Sequence, residues 1–439
     1  MLFERPRGGE KAVLVYIQFP ADDAGEVQEF EELVASAGVF ASSLVRGKRD
    51  TPDAKFFVGK GKADEIKQQV VETGAEVVIF DHSLTPAQER NLERHLECRV
   101  LDRTGLILDI FAQRAHTFEG KLQVELAQLN HLSTRLVRGW SHLERQKGGI
   151  GLRGPGETQL ETDRRLIGTR IKQIKKRLEK VKQQRGLSRR ARRKAELPTI
   201  SLVGYTNAGK STLFNRLTDS QVYSADKLFA TLDPTIRRIE IGDAGPLIFV
   251  DTVGFISKLP HDLVSAFRAT LEETLESDLL LHVIDASNQE RDLRIVQVEQ
   301  VLSEIGGEKI PRIQVFNKID CIAGAKPHID YDEAGKVNSC WLSAANGEGI
   351  EALISVLKDN FAKQIVHCKV LVPHRYGDVR ARFYELKTVL SEQESTDSQA
   401  WILELRVQNQ TLAQVLSKDI VLLEDRPNSD GFGEFSEVG

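Results

Sequence analysis

Residues 198–214 read PTISLVGYTNAGKSTLF, the pattern of a β-strand, a loop bounded by glycines and the first turns of a helix. The loop fits G-x-x-x-x-G-K-[ST] from Gly204 to Ser211. In such a loop backbone N–H groups turn towards phosphate oxygens, and the helix N-terminus adds a favourable dipole. We expect Lys210 to reach the β- and γ-phosphates and Ser211 to bind Mg²⁺. A chance glycine turn before Lys-Ser is the alternative, and average residue usage gives it in roughly one of fifty chains this long.

The composition is that of a soluble globular protein of several domains. The chain has 439 residues, of which 28% are charged and 41% hydrophobic, and about three domains are expected. No window approaches the roughly 18 apolar residues of a membrane span, and the charged start MLFERPR argues against a signal peptide. We therefore expect a cytoplasmic protein without a membrane span. The four cysteines, which we interpret as reduced core residues, are far apart and suggest neither zinc nor disulfides: Cys98, Cys321, Cys340 and Cys368.

The first 115 residues alternate between strand-like and helix-like segments. Strands are predicted at 12–19, 39–45, 76–81 and 99–101, and helices near 26–37, 61–73, 85–97 and 104–115. This alternation predicts a small parallel sheet with right-handed crossovers. Residues 57–62, FVGKGK, lack the spacing of a phosphate loop and are interpreted as a turn, with contact to RNA or a second nucleotide as the minority interpretation.

Two long amphipathic helices are predicted next. Apolar residues recur at helical spacing from Leu122 to Leu136 and from Leu160 to Val181, with a glycine-rich segment, 147–157, between them. The pattern predicts an antiparallel helical hairpin with an exposed tip, in which Trp140 serves packing. Residues 158–194 hold 15 Lys and Arg against 3 Asp and Glu, a local charge of +12 in a chain of net charge −4. A solvated face is the bland explanation, but unbalanced charge of this size favours contact with nucleic-acid phosphates.

Further motifs follow the phosphate loop in the order of a GTPase domain. Thr231, in the segment FATLD, is expected to bring a second hydroxyl to Mg²⁺. Asp251, at the end of an apolar strand, is expected to hold a metal-bound water, and the Gly254 amide to sense the γ-phosphate. These two loops would be the switches.

Two later loops are expected to select guanine. In Asn317-Lys318-Ile319-Asp320, the carboxylate of Asp320 has the geometry to accept hydrogen bonds from guanine N1 and the exocyclic amine. In the segment Ser343-Ala344-Ala345, a backbone N–H would meet the guanine carbonyl. Together with the phosphate loop and the switches, the predicted nucleotide contacts are Gly204, Tyr205, Thr206, Asn207, Ala208, Gly209, Lys210, Ser211, Phe229, Ala230, Thr231, Leu232, Asp233, Asp251, Thr252, Val253, Gly254, Asn317, Lys318, Ile319, Asp320, Ser343, Ala344 and Ala345.

The chain resembles the HflX-type GTPases, within the translation-factor-related Obg-HflX-like P-loop class. Beyond the common motifs, the resemblance rests on GGIGLRGPGETQLETDRR at 148–165, FATLDPT at 229–235, FDH at 80–82 and LDRT at 101–104, and it covers roughly residues 10–365. It implies a monomeric cytoplasmic GTPase that binds GTP and GDP. It also implies that the helical hairpin contacts rRNA of the large ribosomal subunit near the peptidyl-transferase region, and that the protein splits or rescues stalled ribosomes or assists ribosome biogenesis.

The sequence therefore predicts a multidomain α/β protein. We expect an N-terminal α/β domain (1–115), a helical hairpin (116–195), a Ras-like P-loop GTPase domain (196–365), a small C-terminal α+β domain (366–425) and a disordered acidic tail (426–439). Two other functions stay open at this stage. One is a GTP-dependent switch that recruits a protein partner, and the other is an RNA remodelling factor that uses ATP.

Position 255, where Ras-like proteins place a water-orienting glutamine, is Phe255. Since a phenyl ring neither donates to nor accepts from water, slow hydrolysis by the isolated protein is expected. Backbone atoms of the switches, a monovalent cation or the ribosome would orient the water. Asn207 matches the asparagine of potassium-assisted GTPases, which makes K⁺ a candidate cofactor, and a structural Asn in a turn is an equal alternative.

Overall fold

The structure, a computed structural model, describes residues 9–20, 26–139, 155–194, 197–219, 228–242, 245–258, 273–362, 365–386, 388–395, 399–408, 412 and 420–426. Residues 147–154 of the glycine-rich tip, Trp140 and residues 427–439 of the acidic tail lie outside these residues. The predicted bounds were wrong at two ends, because Pro155 already begins a helix and Arg426 still ends a strand. Among the described residues no helix has both the length and the apolar character needed to cross a bilayer.

The N-terminal unit alternates strands and helices as the sequence predicts. Its elements are β1 (Lys11–Gln18), α1 (Glu26–Ser36), β2 (Phe40–Lys48), α2 (Lys60–Thr73), β3 (Val77–Phe80), α3 (Pro86–Leu96), β4 (Arg99–Asp102) and α4 (Arg103–Arg114). All pairs in the sheet are parallel, in the order β2-β1-β3-β4. The β3 strand is fully buried because helices cover both faces of the sheet. The predicted turn at 57–62 ends at Gly59, and Lys60 begins α2.

Helices α5 (Phe118–Gly139) and α6 (Pro155–Lys194) form the predicted hairpin. Their apolar stripes meet in one seam, with Leu122 and Leu129 of α5 packed on Ile167 and Ile174 of α6. Ion pairs join Glu125 to Arg170 and Glu119 to Arg185, so the two helices are antiparallel.

The nucleotide domain is a seven-stranded sheet with helices on its faces. It contains β5 (Thr199–Val203), α7 (Lys210–Thr218), β6 (Thr235–Glu240), β7 (Pro246–Asp251), β8 (Leu279–Asp285), α8 (Arg291–Ile305), β9 (Arg312–Asn317), β10 (His328–Tyr331), β11 (Val337–Trp341) and α9 (Ile350–Ala362). The order is β10-β11-β9-β8-β5-β7-β6, antiparallel only at the two edges. The phosphate loop therefore leaves the carboxyl end of a central strand, where ligands bind in such sheets.

Among its described residues, the C-terminal unit is an antiparallel sheet with one covering helix, which agrees with the predicted α+β class. Its elements are β12 (Ile365–Pro373), α10 (Gly377–Glu385), β13 (Val389–Ser395), β14 (Ala400–Gln408) and β15 (Val421–Arg426), with sheet order β13-β14-β12-β15. Val379 and Phe383 of α10 pack on this sheet.

The cysteine interpretation was wrong in part. Cys340 and Cys368 are buried, but Cys98 is only half-buried and Cys321 is exposed. Cys321 lies in a short 3₁₀ turn that follows β9, where the chain returns to the surface. All four are free thiols.

Candidate nucleotide-binding site

The phosphate loop is shaped by two glycines whose conformations a side chain would not tolerate. Gly204 has φ +144°, and a Cβ there would collide with the Val283 carbonyl oxygen of β8. Gly209 has φ +91°, and a Cβ there would collide with the Asn317 amide. Because α7 begins at Lys210, immediately after this loop, the free N–H groups of its first turn face the loop interior.

Within the loop, Asn207 also has left-handed backbone, with φ 61°. Asn tolerates this conformation better than most residues, so a turn role accounts for its presence. The Thr206 N–H donates to the Phe255 carbonyl at 2.7 Å, which ties the loop to the second switch.

Lys210 is buried and donates from Nζ to the Tyr205 carbonyl at 2.7 Å. Burial lowers the pKa of Lys210 to about 8, against the opposing effect of the Asp251 carboxylate. A nearby anion stabilises the charged form of a buried ammonium. A phosphate bound at this loop would be such an anion.

Three side-chain oxygens meet beside Lys210. Ser211 Oγ lies 2.7 Å from Thr231 Oγ1 and donates to Asp251 Oδ2 at 2.7 Å, and Thr231 donates to the same oxygen at 2.9 Å. Asp251 is fully buried, and burial raises its pKa. Its other oxygen, Oδ1, has no hydrogen-bond partner among the described residues. Hydroxyl and carboxylate oxygens with an unsatisfied buried lone pair fit a hard cation such as Mg²⁺.

The second switch begins where β7 ends. Thr252 Oγ1 donates to the Leu202 carbonyl at 2.5 Å and fixes the loop to β5. At Gly254 a Cβ would lie 2.8 Å from both Lys210 Nζ and Thr206 Cα, so only glycine allows the loop this close to the phosphate-binding residues. Phe255 is 4% exposed and packs in the apolar core shared with the N-terminal domain. Its ring is thus part of an apolar core and has no polar atom with which to orient a hydrolytic water.

Asn317 connects the phosphate loop to the two loops that are predicted to select guanine. Its Nδ2 donates to the Ala208 carbonyl at 2.9 Å, and its Oδ1 accepts from the Ala344 N–H at 2.9 Å. Asp320 is exposed at the rim and accepts from Ser343 Oγ at 2.5 Å, a bond that lowers its pKa. Asp320 is therefore ionised at neutral pH, which is the form that accepts two hydrogen bonds from one base edge.

Most of the remaining predicted contacts have buried side chains, so only their backbone atoms could reach a nucleotide. Phe229, Leu232 and Val253 bury their side chains in the core shared with the N-terminal domain, and Ile319 and Ala208 are also buried. Ala230 follows Phe229 in the first switch, and Ala345 follows Ala344 in the loop after β11. The Asp233 carboxylate is bonded to the start of α5, so it does not face the loop interior.

The sequence motifs did not identify several residues that lie next to the site. Asp285, at the end of β8, pairs with Lys318 at 2.8 Å, and Arg216 of α7 holds the Ala344 and Ala345 carbonyls at 3.1 and 2.6 Å. A polar residue at a strand end would have drawn attention to Asp285. Nothing local to Glu29 of α1 indicates that it accepts a hydrogen bond from the Tyr205 hydroxyl, because 176 residues separate the two.

Comparison with known proteins gives the family. Three family models match in succession: "GTP-binding GTPase N-terminal" at 24–112, "GTP-binding GTPase Middle Region" at 114–192 and "50S ribosome-binding GTPase" at 199–318. The chain is 59% identical over 392 residues to the GTPase HflX of Escherichia coli strain K12, an alignment that covers 89% of this chain and 92% of the relative. The chain belongs to the HflX family of GTPases. It is an enzyme that hydrolyses GTP to GDP and phosphate.

Other HflX proteins are similar over most of the chain. The GTPase HflX of Magnetococcus marinus is 45% identical over 382 residues, covering 86% of this chain and 88% of that protein. Among solved structures, a GTP-binding protein of Sulfolobus solfataricus in complex with GDP aligns at 25% identity and a TM-score of 0.44, covering 81% of this chain and 99% of that one.

Proposed function

We propose that this HflX-family GTPase binds the large ribosomal subunit in its GTP-bound state, splits or rescues stalled ribosomes, and leaves after hydrolysis. Assistance in ribosome biogenesis would use the same contact. The matching model for residues 199–318 is described as a "50S ribosome-binding GTPase". We place the protein in the cytoplasm as a monomer, and its contact with rRNA on the helical hairpin, residues 116–195.

The observation that carries this proposal is the exposed basic face of α6. Its apolar side is buried against α5, which leaves a set of cations exposed: Arg164, Arg165, Lys172, Lys175, Lys176, Arg177, Lys180 and Lys182. Of the basic residues on α6, Arg170 and Arg185 are paired with acids of α5. A row of cations on one long helix complements a phosphate backbone and gives salt-dependent binding.

We assign the roles in GTP hydrolysis from the site geometry. Ser211 and Thr231 would hold Mg²⁺, Asp251 a water bound to it, and Lys210 the β- and γ-phosphates. The Gly254 N–H would contact the γ-phosphate, and Asp320 with the loop at Ala344 would select guanine. Mg²⁺ supplies charge neutralisation at the phosphates when bound.

The water-orienting group is not Phe255, because its ring is buried in the interdomain core. We propose that backbone atoms of the switches, a K⁺ ion held with the help of Asn207, or the ribosome supply that function. Slow hydrolysis without ribosomes is expected because no side chain at position 255 orients the water.

Sedimentation with ribosomes tests the proposal. The protein is mixed with 50S subunits or 70S ribosomes in GDP, GTP or a non-hydrolysable GTP analogue. Binding is expected to be strongest with the analogue, and light scattering is expected to fall as 70S particles separate. Equal sedimentation in all three nucleotides would contradict the GTP-state dependence.

A salt series isolates the basic face. Neutralising Lys172, Lys175, Lys176 and Arg177 to Gln should weaken binding and flatten its salt dependence by about one unit of log–log slope per lost phosphate contact. The charge-matched control neutralises Lys309, Lys326, Lys336 and Arg382, which are exposed on other domains. If both quadruple variants bind alike, the charge of α6 is only a solvated face.

A further inference from the structure

One carboxylate of the first switch lies against the first turn of the hairpin. Asp233 Oδ2 accepts hydrogen bonds from the His116 and Thr117 N–H groups, both at 2.8 Å, and Asp233 Oδ1 accepts from Thr117 Oγ1 at 2.5 Å. These donors immediately precede Phe118, the first residue of α5. A carboxylate at a helix N-terminus satisfies free N–H groups and is favoured by the helix dipole.

The sequence of α5 leaves room for this carboxylate. Thr117 Oγ1 accepts from the Gly120 N–H at 2.9 Å, which caps the helix in the usual way. A Cβ at Gly120 would overlap Asp233 Oδ1. The glycine lies in the first turn of a helix, where it has no conformational advantage, so the approach of Asp233 is the physical reason that it fits there.

The rest of the first switch is also fixed to the N-terminal domain. The Leu228 N–H donates to Ser36 Oγ of α1 at 2.9 Å, and the Phe229 ring packs edge-on against Phe111 of α4 with centroids 4.7 Å apart. Between these contacts and Asp233, Thr231 lies within 2.7 to 2.9 Å of Ser211 and Asp251. Thr231 and Asp233 are only two residues apart, at most about 7 Å of chain, so a large displacement of Thr231 would also displace Asp233.

We propose that Asp233 is a positioning residue that couples the nucleotide bound at Thr231 to the start of the helical hairpin. In the GTP state the first switch is held at Thr231, and the Asp233 carboxylate holds the first turn of α5. In the GDP state Thr231 is released, and the cap on α5 loosens with it. This inference rests on the proposed role of Thr231 at Mg²⁺ and the γ-phosphate, and it does not depend on the ribosome.

Hydrogen exchange of the full-length protein tests the coupling. Peptides that span residues 114–122 are followed by mass spectrometry with saturating Mg²⁺-GDP or a Mg²⁺-bound non-hydrolysable GTP analogue. In the parent protein the amides at the start of α5 should exchange about tenfold more slowly with the analogue. In Asp233→Ala they should exchange fast and at the same rate in both states, and affinity for the analogue should fall about 5- to 10-fold while GDP affinity stays within twofold.

Two further variants keep the result interpretable. Thr117→Val removes one of the three bonds to Asp233 and also the cap on the Gly120 N–H, so the start of α5 should exchange faster in both states while the nucleotide difference is reduced but nonzero. Glu240→Ala, an exposed acid on β6 that pairs only locally with Arg238, is the control and should match the parent. Thr231→Ala should lose the nucleotide difference, with the start of α5 exchanging in both states at the rate that the parent shows with GDP.

The outcomes separate the inference from the proposed function. If the parent binds both nucleotides but residues 114–122 exchange equally in the two states, the coupling is overturned and the GTPase assignment stands. If Asp233→Ala keeps the full difference in exchange between the two nucleotides, Asp233 does not couple the nucleotide to α5. If Thr231→Ala binds the analogue as tightly as the parent does, the proposed role of Thr231 fails instead.

Discussion

At the scale of single residues, Asp320 is the residue that we expect to select guanine. Its carboxylate is exposed at the rim and held by Ser343, with a lowered pKa that keeps it charged. In Asp320→Asn, the amide no longer complements guanine N1–H but pairs with a xanthine carbonyl. GTP affinity should fall at least 100-fold and affinity for xanthosine triphosphate should rise. Titration with both nucleotides measures this, and unaltered GTP affinity would refute the assignment.

Two explanations account for an asparagine at position 207, a role in the turn and a role in binding K⁺. Its left-handed backbone already accounts for an asparagine, while a K⁺ ion near the phosphates would give its side chain a second role. If K⁺ assists hydrolysis, turnover should fall severalfold when Na⁺ replaces K⁺ at constant ionic strength, and Asn207→Ala should abolish that difference. Equal rates of phosphate release in the two salts would leave Asn207 with the turn role alone.

At the scale of elements, the packing of α3 on α5 partly buries an acid. Glu89 of α3 pairs with Arg135 of α5 at 2.9 Å, and Arg135 also contacts Asp102 at 3.0 Å. Burial is the main cause that raises the pKa of Glu89 to about 7, more than Arg135 lowers it. The native protein therefore binds this proton more tightly than the unfolded chain does, so the contribution of Glu89 to stability declines as pH rises from about 4.5 through 7.

Glu89→Gln mimics the protonated acid and tests this linkage. The parent should lose stability between pH 5 and pH 7.5 while the variant does not. The free energy of unfolding of the variant minus that of the parent should therefore increase by roughly 1–3 kcal/mol over this range. Thermal or denaturant unfolding at the two pH values measures the change. Glu72→Gln, at an exposed position on α2, is the control and should run parallel to the parent. If the stability of Glu89→Gln changes with pH just as that of the parent does, burial does not raise the pKa of Glu89.

At the scale of the whole molecule, a buried charge cluster joins the N-terminal domain to both the phosphate loop and the second switch. Arg103 donates to Asp81, to Glu29 at 2.6 Å and to the Ser257 carbonyl at 3.0 Å. Glu29 in turn accepts from the Tyr205 and Ser257 hydroxyls. The apolar core continues across the same boundary through Phe255.

Arg103→Gln should therefore be costly. It leaves two buried carboxylates without their cation, and removal of one partner from a buried pair costs roughly 3–5 kcal/mol. Arg99→Gln, whose pair with Glu10 is partly exposed, should cost about 1 kcal/mol or less. Burial raises the pKa of Asp81 to about 6, so the Arg103→Gln deficit should shrink at pH 5 as that carboxyl is neutralised. A deficit independent of pH, measured by thermal unfolding, would contradict this account.

The sequence by itself determined the fold class and where the N-terminal elements lie, and it indicated the chemistry of the site. Period-two and helical patterns placed the N-terminal strands and helices within a few residues, because each buries its own apolar face. The phosphate loop and the segment from Asn317 to Asp320 could be identified from the sequence. In both, local backbone geometry and ligand chemistry restrict which residues can occupy neighbouring positions. The site roles and domain boundaries taken from these patterns stay predictions.

Only the tertiary structure decided what the distant parts do to each other. No spacing indicates that Phe255 is buried in a neighbouring domain, that Glu29 contacts Tyr205, or that Asp233 caps a helix 116 residues earlier in the chain. These contacts join residues with no shared local period, and each depends on how two separately folded surfaces fit together. Local pattern is set by the conformational preferences of neighbouring residues, while the pairing of surfaces is set by shape and charge that only the folded domains present.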